Sequence, residues 1–261
     1  MESRESLQAA LQEIQAWEND QKDLFIWEKI GRIPFMILDK MTPAFLHNKI
    51  KQIVEELANY VDHGGKYLTK PATSFQTASQ AIEKPIVGFM DIQTLSLAEM
   101  DTIADHFVSS RKKAATVQGA STGLGGLFTL AIDIPFIVGL TLKTLQETAI
   151  SYGYDPQDPA ERIFIVQCMQ FASSDIVGKR ALLDQWNEAS SRNATSQVQG
   201  WREVFTMYAD NYGWKKLFQM IPVAGMVFGA FINRQSINDV GEVGKMMYKK
   251  RRILERLSTE N

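Results

Sequence analysis

Residues 119–141 read GASTGLGGLFTLAIDIPFIVGLT, and this stretch decides the fold. A glycine-rich first part leads into a long apolar part that contains a single acid, Asp133. Gly119, Gly123 and Gly126 are spaced at i, i+4 and i+7, which places all three on one face of an α-helix. Glycines on a helix face let a second helix approach closely. The stretch therefore predicts closely packed, buried helices.

The same stretch is long enough to cross a membrane, but its composition makes insertion marginal. Its ten strongly apolar residues contribute roughly −4.5 kcal/mol on an insertion scale, and Asp133 returns about +3 kcal/mol. A second apolar stretch, 217–232, has 16 residues, fewer than the ~20 that a spanning helix needs. We expect two buried core helices, with insertion or interfacial docking as the alternative.

Asp133 is the most informative single residue. A buried carboxylate is costly unless it is paired or hydrogen-bonded. Because Asp133 stands just before Ile134 and Pro135, we expect it to cap the next helix, where it would accept backbone N–H groups and face a favourable dipole. Catalytic or ligand-binding use is one alternative, and another is a buried ion pair with Lys143, Lys179 or Arg180.

The composition excludes several classes of protein. The 261 residues are 45% hydrophobic and 22% charged, close to globular averages, and the net charge of −2 is not typical of a nucleic-acid binder. The one cysteine, Cys168, and three scattered histidines predict neither a disulfide nor a metal site. The glycines match no nucleotide-binding pattern. We expect no cofactor, and a cytoplasmic location because residues 1–30 do not resemble a signal peptide.

Signals for helix starts recur along the chain, and no alternation typical of β-strands persists. Ser3 is expected to cap an amphipathic helix that continues to Trp27. Ser96 and Glu99 form a capping box, in which each side chain accepts the other residue's backbone N–H group. The sequence DPAE at 158–161 is a similar start.

Loops are predicted where polar residues, glycine and proline gather. Residues 64–84 are polar at first and predict a loop, YGYDP at 152–156 predicts a turn, and residues 187–200 predict another loop. From Trp201 the chain is expected to be helical again to about Leu257.

These patterns together predict an all-α fold. We expect a single multi-helix domain that contains a glycine-rich, buried helical hairpin. Residues 1–30 are expected to form an N-terminal amphipathic helix, and residues 31–257 the helical domain proper.

Charge is distributed unevenly along the chain. Residues 243–261 hold six bases and two acids, whereas residues 1–30 hold seven acids and three bases. A basic helix with apolar residues can lie on an anionic membrane surface, where each base adds about 1 kcal/mol. The alternative is a solvated C-terminal helix packed on the acidic N-terminal one. We expect the basic tail to contact a membrane surface or membrane partner through Lys245, Lys249, Lys250, Arg251 and Arg252.

The stretch 119–135 resembles the signature of the EcsC protein family, and so does YGYDP at 152–156. A C-terminal segment that begins at Ile221 is also similar to that family, and the resemblance covers roughly residues 30–257. The positions that carry it are Gly119, Gly123, Gly125, Gly126, Asp133, Pro135, Tyr152, Gly153, Tyr154, Asp155, Pro156, Pro222, Gly225, Gly229 and Asn233, followed by Tyr248 and Arg252.

The resemblance implies a bacterial, helical, membrane-associated protein. The family is named for a gene that lies beside an ABC transporter implicated in secretion, which makes such a transporter a candidate partner. The resemblance supplies no catalytic residues. We therefore expect a non-enzymatic protein that works at the cytoplasmic membrane face. The alternative is a small-molecule or lipid-binding helical domain, including a hydrolase, with a site near Asp133.

Overall fold

A computed structural model describes most of the chain outside two long segments. Within 119–122, 127–135, 173 and 230–233 only the backbone is described. The described residues are 2–22, 55–65, 68–122, 127–174, 179–180, 182–184, 186 and 230–259.

The described elements are helices, which confirms the all-α prediction. Residues 55–63 and parts of 179–186 are helical. The longer elements are α1 Arg4–Asp20, α2 Pro71–Ile82, α3 Phe89–Gln93, α4 Leu97–Thr122, α5 Leu127–Ser151, α6 Pro159–Ser173 and α7 Ala230–Thr259.

Local capping fixes several helix starts as the sequence predicts. The Ser3 hydroxyl accepts a backbone N–H of the first turn of α1 at 3.2 Å. At the start of α4, the backbone N–H of Ser96 donates to Glu99 at 2.8 Å and that of Glu99 donates to the Ser96 hydroxyl at 3.3 Å. Asp158 accepts the N–H of Ala160 at 2.8 Å and caps α6.

The three longest helices, α4, α5 and α7, form the centre of the domain. α4 packs against both α5 and α7. Arg111 of α4 bonds to Glu147 of α5, and Lys112 of α4 bonds to Asn238 of α7. One continuous core joins the helices into a single domain, and its members include Leu7, Ile14, Met100, Ile103, Leu142, Leu145, Ile165, Phe171, Tyr248 and Ile253.

Two glycines of α7 allow it to approach its neighbours. A Cβ at Gly241 would lie 2.7 Å from both methyl groups of Val108 on α4. A Cβ at Gly244 would lie 2.9 Å from the Leu145 side chain on α5. Distances this short leave no room for a methyl group, so the position of α7 depends on both glycines. Neither glycine belongs to the glycine-rich stretch at 119–141, and no sequence pattern marks this pair.

The predicted loop at 64–84 is wrong over most of its length, because α2 occupies Pro71–Ile82. Proline suits the first helical position. One face of α2 buries Phe75 and Ala78, and the Phe75 ring meets the Phe89 ring edge-on at 5.0 Å between centroids. Tertiary packing of this face outweighs the polar composition of the segment.

The prediction that Asp133 caps a helix is also wrong. α5 begins at Leu127, six residues earlier, and continues through Asp133 and Pro135 to Ser151. Leucine and alanine before Asp133 are strong helix formers, so the helix starts ahead of the Asp-Ile-Pro sequence. Pro135 removes one backbone donor and crowds the carbonyl four residues earlier, but α5 continues past it. The predicted end of this helix at Ser151 is confirmed.

The contact between Gly241 and Val108 gives a test of the central packing. We expect Gly241→Ala to lower the free energy of unfolding by about 1–3 kcal/mol, because the new methyl group overpacks the interface. In a Val108→Ala background the same change should be neutral or stabilising by up to about 1 kcal/mol, since alanine favours a helix interior over glycine. Urea unfolding of the four proteins in this cycle measures the coupling. An equal loss of unfolding free energy on Gly241→Ala with Val108 or Ala at position 108 would contradict the contact between Gly241 and Val108.

Candidate functional site

The YGYDP sequence forms a tight turn directly after α5. Gly153 has φ +80°, a left-handed conformation that favours glycine. A Cβ there would also lie 2.7 Å from the Gln93 side chain and 3.0 Å from the Arg252 guanidinium. Both the backbone conformation and the close neighbours therefore require glycine at this position.

Side chains from two other helices bind the carbonyl groups of this turn. Arg252 of α7 donates from Nε and Nη2 to the Tyr152 carbonyl at 3.0 and 2.6 Å. Gln93 of α3 donates to the Gly153 carbonyl at 3.0 Å. The Arg252 guanidinium also lies 4.6 Å from the centre of the Tyr154 ring. The turn thus joins the end of α5 to α3 and α7.

A buried ionic network lies beside the turn. Arg251 of α7 makes a two-pronged ion pair with Glu161 of α6, at 2.8 and 3.1 Å. Tyr248 donates its hydroxyl to the same carboxylate at 2.7 Å. The Arg251 guanidinium lies 4.2 and 4.4 Å from the ring centres of Tyr154 and Phe164. Burial raises the pKa of Tyr248 well above its ordinary value, so its hydroxyl remains a proton donor.

Glu161 therefore does not complete the capping box that the sequence suggested for α6. Asp158 does cap the helix, but the Glu161 carboxylate points to α7 rather than back to its own first turn. Its side chain is only 7% exposed. The sequence DPAE correctly predicts that Asp158 caps the helix. It gives no signal that Glu161 pairs with Arg251, ninety positions away.

Cys168, on the same helix as Glu161, is buried as its apolar neighbours suggest. Burial raises the pKa of its thiol. A thiol of this kind is mostly protonated at neutral pH and a poor nucleophile.

The basic residues predicted to contact a membrane are ion-paired within the protein. Their partners come from four different helices rather than from α1 alone. The pairs are Lys245 with Asp105 at 2.5 Å, Lys249 with Asp101 at 2.7 Å, Lys250 with Glu18 at 2.7 Å, Arg251 with Glu161 at 2.8 Å and Arg252 with Glu255 at 2.9 Å.

A different surface exposes apolar side chains. Ala115 of α4, Leu140 of α5 and Ile237 of α7 form a small cluster apart from the main core. Beyond it, towards the end of α4 and the beginning of α5, Val117 is 71% exposed and Phe136 is 37% exposed. We call this surface the hairpin tip and define it as residues 113–118, 136–140 and 234–238.

The hairpin tip also carries exposed cations. Lys113 of α4 and Arg234 of α7 are exposed. Lys112, next to Lys113 in α4, donates to the Asn238 side chain of α7 at 2.7 Å. Apolar and cationic side chains therefore share one surface, a combination typical of contact with anionic lipid.

The structure places only some of the residues that carry the family resemblance. Tyr152, Gly153, Tyr154, Asp155 and Pro156 form the turn, and Tyr248 and Arg252 contact it. Gly119 lies in α4, Asp133 and Pro135 in α5, and Asn233 in α7, with the backbone alone described. The residues that lie outside the described ones are Gly123, Gly125, Gly126, Pro222, Gly225 and Gly229.

The described residues contain neither a metal-binding cluster nor a membrane-spanning helix. No three His, Cys, Asp or Glu side chains within them are grouped so as to hold a metal ion. None of the helices in the described part of the chain combines the length and apolar character that crossing a membrane requires.

The Arg251–Glu161 pair predicts a large stability difference between two similar substitutions. We expect Glu161→Gln to lower the free energy of unfolding by about 1.5–3 kcal/mol, the usual range for hydrogen bonds to a charged group, because Arg251, whose side chain is 34% exposed, loses its buried counter-charge. The matched control is Glu255→Gln, whose carboxylate pairs with Arg252 but is 49% exposed, and it should cost less than about 1 kcal/mol. Chemical unfolding of both variants checks this. Similar losses for the two would contradict a special role for Glu161.

Comparisons with known proteins agree with the resemblance seen in the motifs. The chain is 49% identical to YdbA, an uncharacterized protein of Bacillus subtilis (strain 168), over 98% of this chain and 96% of that protein. It is 26% identical to Protein EcsC of the same organism, over 86% of this chain and 92% of that protein. No solved structure matches the chain. The EcsC protein family matches residues 8–253, and the chain therefore belongs to that family.

Proposed function

We propose that this protein works at the cytoplasmic face of a membrane and docks on the lipid surface through the hairpin tip. The observation that carries the proposal is the exposure of Val117 and Phe136 beside the exposed cations Lys113 and Arg234. No chemical reaction is part of the proposal.

Apolar burial supplies the main driving force for docking. Transferring a Val or Phe side chain fully out of water contributes about 1.5–3 kcal/mol. Lys113 and Arg234 would each add about 1 kcal/mol on an anionic leaflet.

The ion pairs of the basic tail are the reason for placing the contact at the tip. Lys249 and Arg251 already face Asp101 and Glu161. Anionic lipids would have to replace these carboxylates as partners of the bases, or lie close to them and be repelled. Either arrangement reduces the electrostatic free energy gained on membrane binding. Lys113 and Arg234 are exposed, and neither forms an ion pair with an acid of the described residues.

Vesicle binding with matched variants tests the proposal. Wild-type protein should sediment with vesicles of phosphatidylcholine and phosphatidylglycerol, and part of this binding should persist at high salt because the apolar term is not screened. Val117→Glu and Phe136→Glu should each weaken the partition by about tenfold, since each removes roughly 1.4 kcal/mol or more of apolar transfer.

Val87→Glu is the matched control, because Val87 is 83% exposed but precedes α3, at the opposite end of the helical bundle from the hairpin tip. It should bind vesicles like the wild type. Lys245→Gln tests the tail, since its partner Asp105 is 61% exposed and the fold tolerates the change. Loss of binding in Lys245→Gln with retention in Val117→Glu would contradict docking through the tip.

A membrane protein as the contact is a separate outcome. If the wild type does not bind protein-free vesicles of phosphatidylcholine and phosphatidylglycerol but is recovered with native membranes, the proposal of lipid docking is wrong. The partner is then a transporter or another membrane protein. If it binds neither, the proposal fails altogether.

A further inference from the structure

A polar cavity lies outside the residues that define the hairpin tip. It has a volume of about 320 Å³ and opens between the segment before α2, α2 itself, and the facing sides of α4 and α5. Typical ligand sites have volumes of about 300–1,000 Å³. The α5 residues that line it are Lys143 and Glu147, which lie roughly 15 and 21 Å along the helix from Asp133 at 1.5 Å per residue. The cavity is therefore not the Asp133 site that the sequence suggested.

Positive charge dominates the lining. Lys70, Arg111 and Lys143 line the cavity, and Glu147 is the acid among the lining residues. Arg111 bonds to Glu147 at 2.7 and 3.0 Å, which uses two of the five donor hydrogens of a guanidinium. Burial raises the pKa of Glu147, and the charge of Arg111 opposes that shift. With Glu147 ionised, the residues that line the cavity carry a net charge of +2.

The cavity also offers neutral donors. Ser74 is 3% exposed and lines it, and its hydroxyl makes none of the side-chain hydrogen bonds found within the described residues. Thr73 and Ser74 belong to the first turn of α2, which has no side-chain cap among the described residues. Backbone N–H groups of such a turn favour an anion. Charged and neutral donors therefore converge on one cavity.

A buried glutamine positions the segment that closes one side of the cavity. Gln146 of α5 is fully buried, and its side-chain oxygen accepts the backbone N–H of Thr69 at 2.7 Å. This bond places Lys70 and the start of α2 against α5. Phe107 and Leu68 add an apolar patch to the lining.

We infer that this cavity binds the phosphate monoester group of a small organic molecule, with Lys70, Lys143 and Ser74 as donors. A phosphate monoester carries about −1.5 to −2 charge at neutral pH and three strong acceptor oxygens, which matches the surplus of cations and hydroxyls better than a carboxylate does. The apolar patch has room for the organic part. A soluble metabolite and a lipid headgroup present the same chemistry, and the experiment distinguishes them.

Titration calorimetry with glycerol 3-phosphate tests the soluble source, and glycerol serves as the uncharged control. Vesicles of phosphatidylcholine with or without phosphatidic acid test the lipid source. Lys143→Gln should weaken binding by about tenfold, since it removes one charge-assisted hydrogen bond. Ser74→Ala should weaken it by roughly threefold, as expected for a neutral hydrogen bond.

Lys84→Gln is the matched control, because Lys84 is an exposed lysine that pairs with Glu99 outside the cavity. Thermal unfolding without ligand establishes that each variant is folded. Binding of either phosphate probe that falls in Lys143→Gln and Ser74→Ala but not in Lys84→Gln supports the inference and identifies the source. Binding of neither probe, or equal losses in all three variants, overturns it.

The inference and the proposed docking fail independently. Val117→Glu, at the hairpin tip, should retain wild-type affinity for glycerol 3-phosphate. A loss of that affinity in folded Val117→Glu protein would place the phosphate site at the hairpin tip and overturn the inference.

Discussion

The fold depends on one buried carboxylate, Glu161, which receives Arg251 and Tyr248 from α7 at the same time. Removing ions of this kind from water is costly, and the cost is recovered only when every partner is in place. A shift of α7 by one turn would separate Arg251 from Glu161 and leave the buried Glu161 carboxylate unpaired. The network therefore selects one register of α7 over its neighbours, which is the best-supported role for buried ion pairs.

That register determines where the two proposed surfaces lie. It places Gly241 opposite Val108, and it places Lys245 and Lys249 opposite acids of α4. In this alignment the basic residues of the tail form ion pairs within the protein. What remains exposed at the other end of α7 is the hairpin tip, with its apolar and cationic side chains. The position of the YGYDP turn follows from the same alignment, because Arg252 binds its carbonyl groups. The turn residues that carry the family resemblance thus have a packing role.

Sequence reasoning succeeded where the determining bond is local. Ser3, the Ser96–Glu99 box and Asp158 each act within one helical turn, and their spacing alone predicts their bonds. Sequence reasoning failed where contacts between residues far apart in the chain determine the local structure. The helix at 71–82 is held by the burial of Phe75, which no local spacing reveals, and the start of α5 follows helix propensity upstream of Asp133. The basic tail was recognised as a charge excess, but its partners on α4 and α6 lie about ninety or more positions away.

One helix, α5, contributes to both proposed sites because its two halves differ in character. Its first half is apolar in sequence, whereas its second half buries a series of polar residues. The hydroxyls of Thr144, Thr148 and Ser151 donate to carbonyls one turn earlier, at 2.8, 2.9 and 2.8 Å. These three hydroxyls therefore find their hydrogen-bond acceptors within the helix. Gln146 and Glu147 are too long for that arrangement and reach neighbouring segments instead. Buried polar groups need partners, and this need ties α5 to the start of α2 on one side and to α4 on the other. The cavity lies between those two attachments, so the helices and the segment that carry its donors are held together before any ligand arrives.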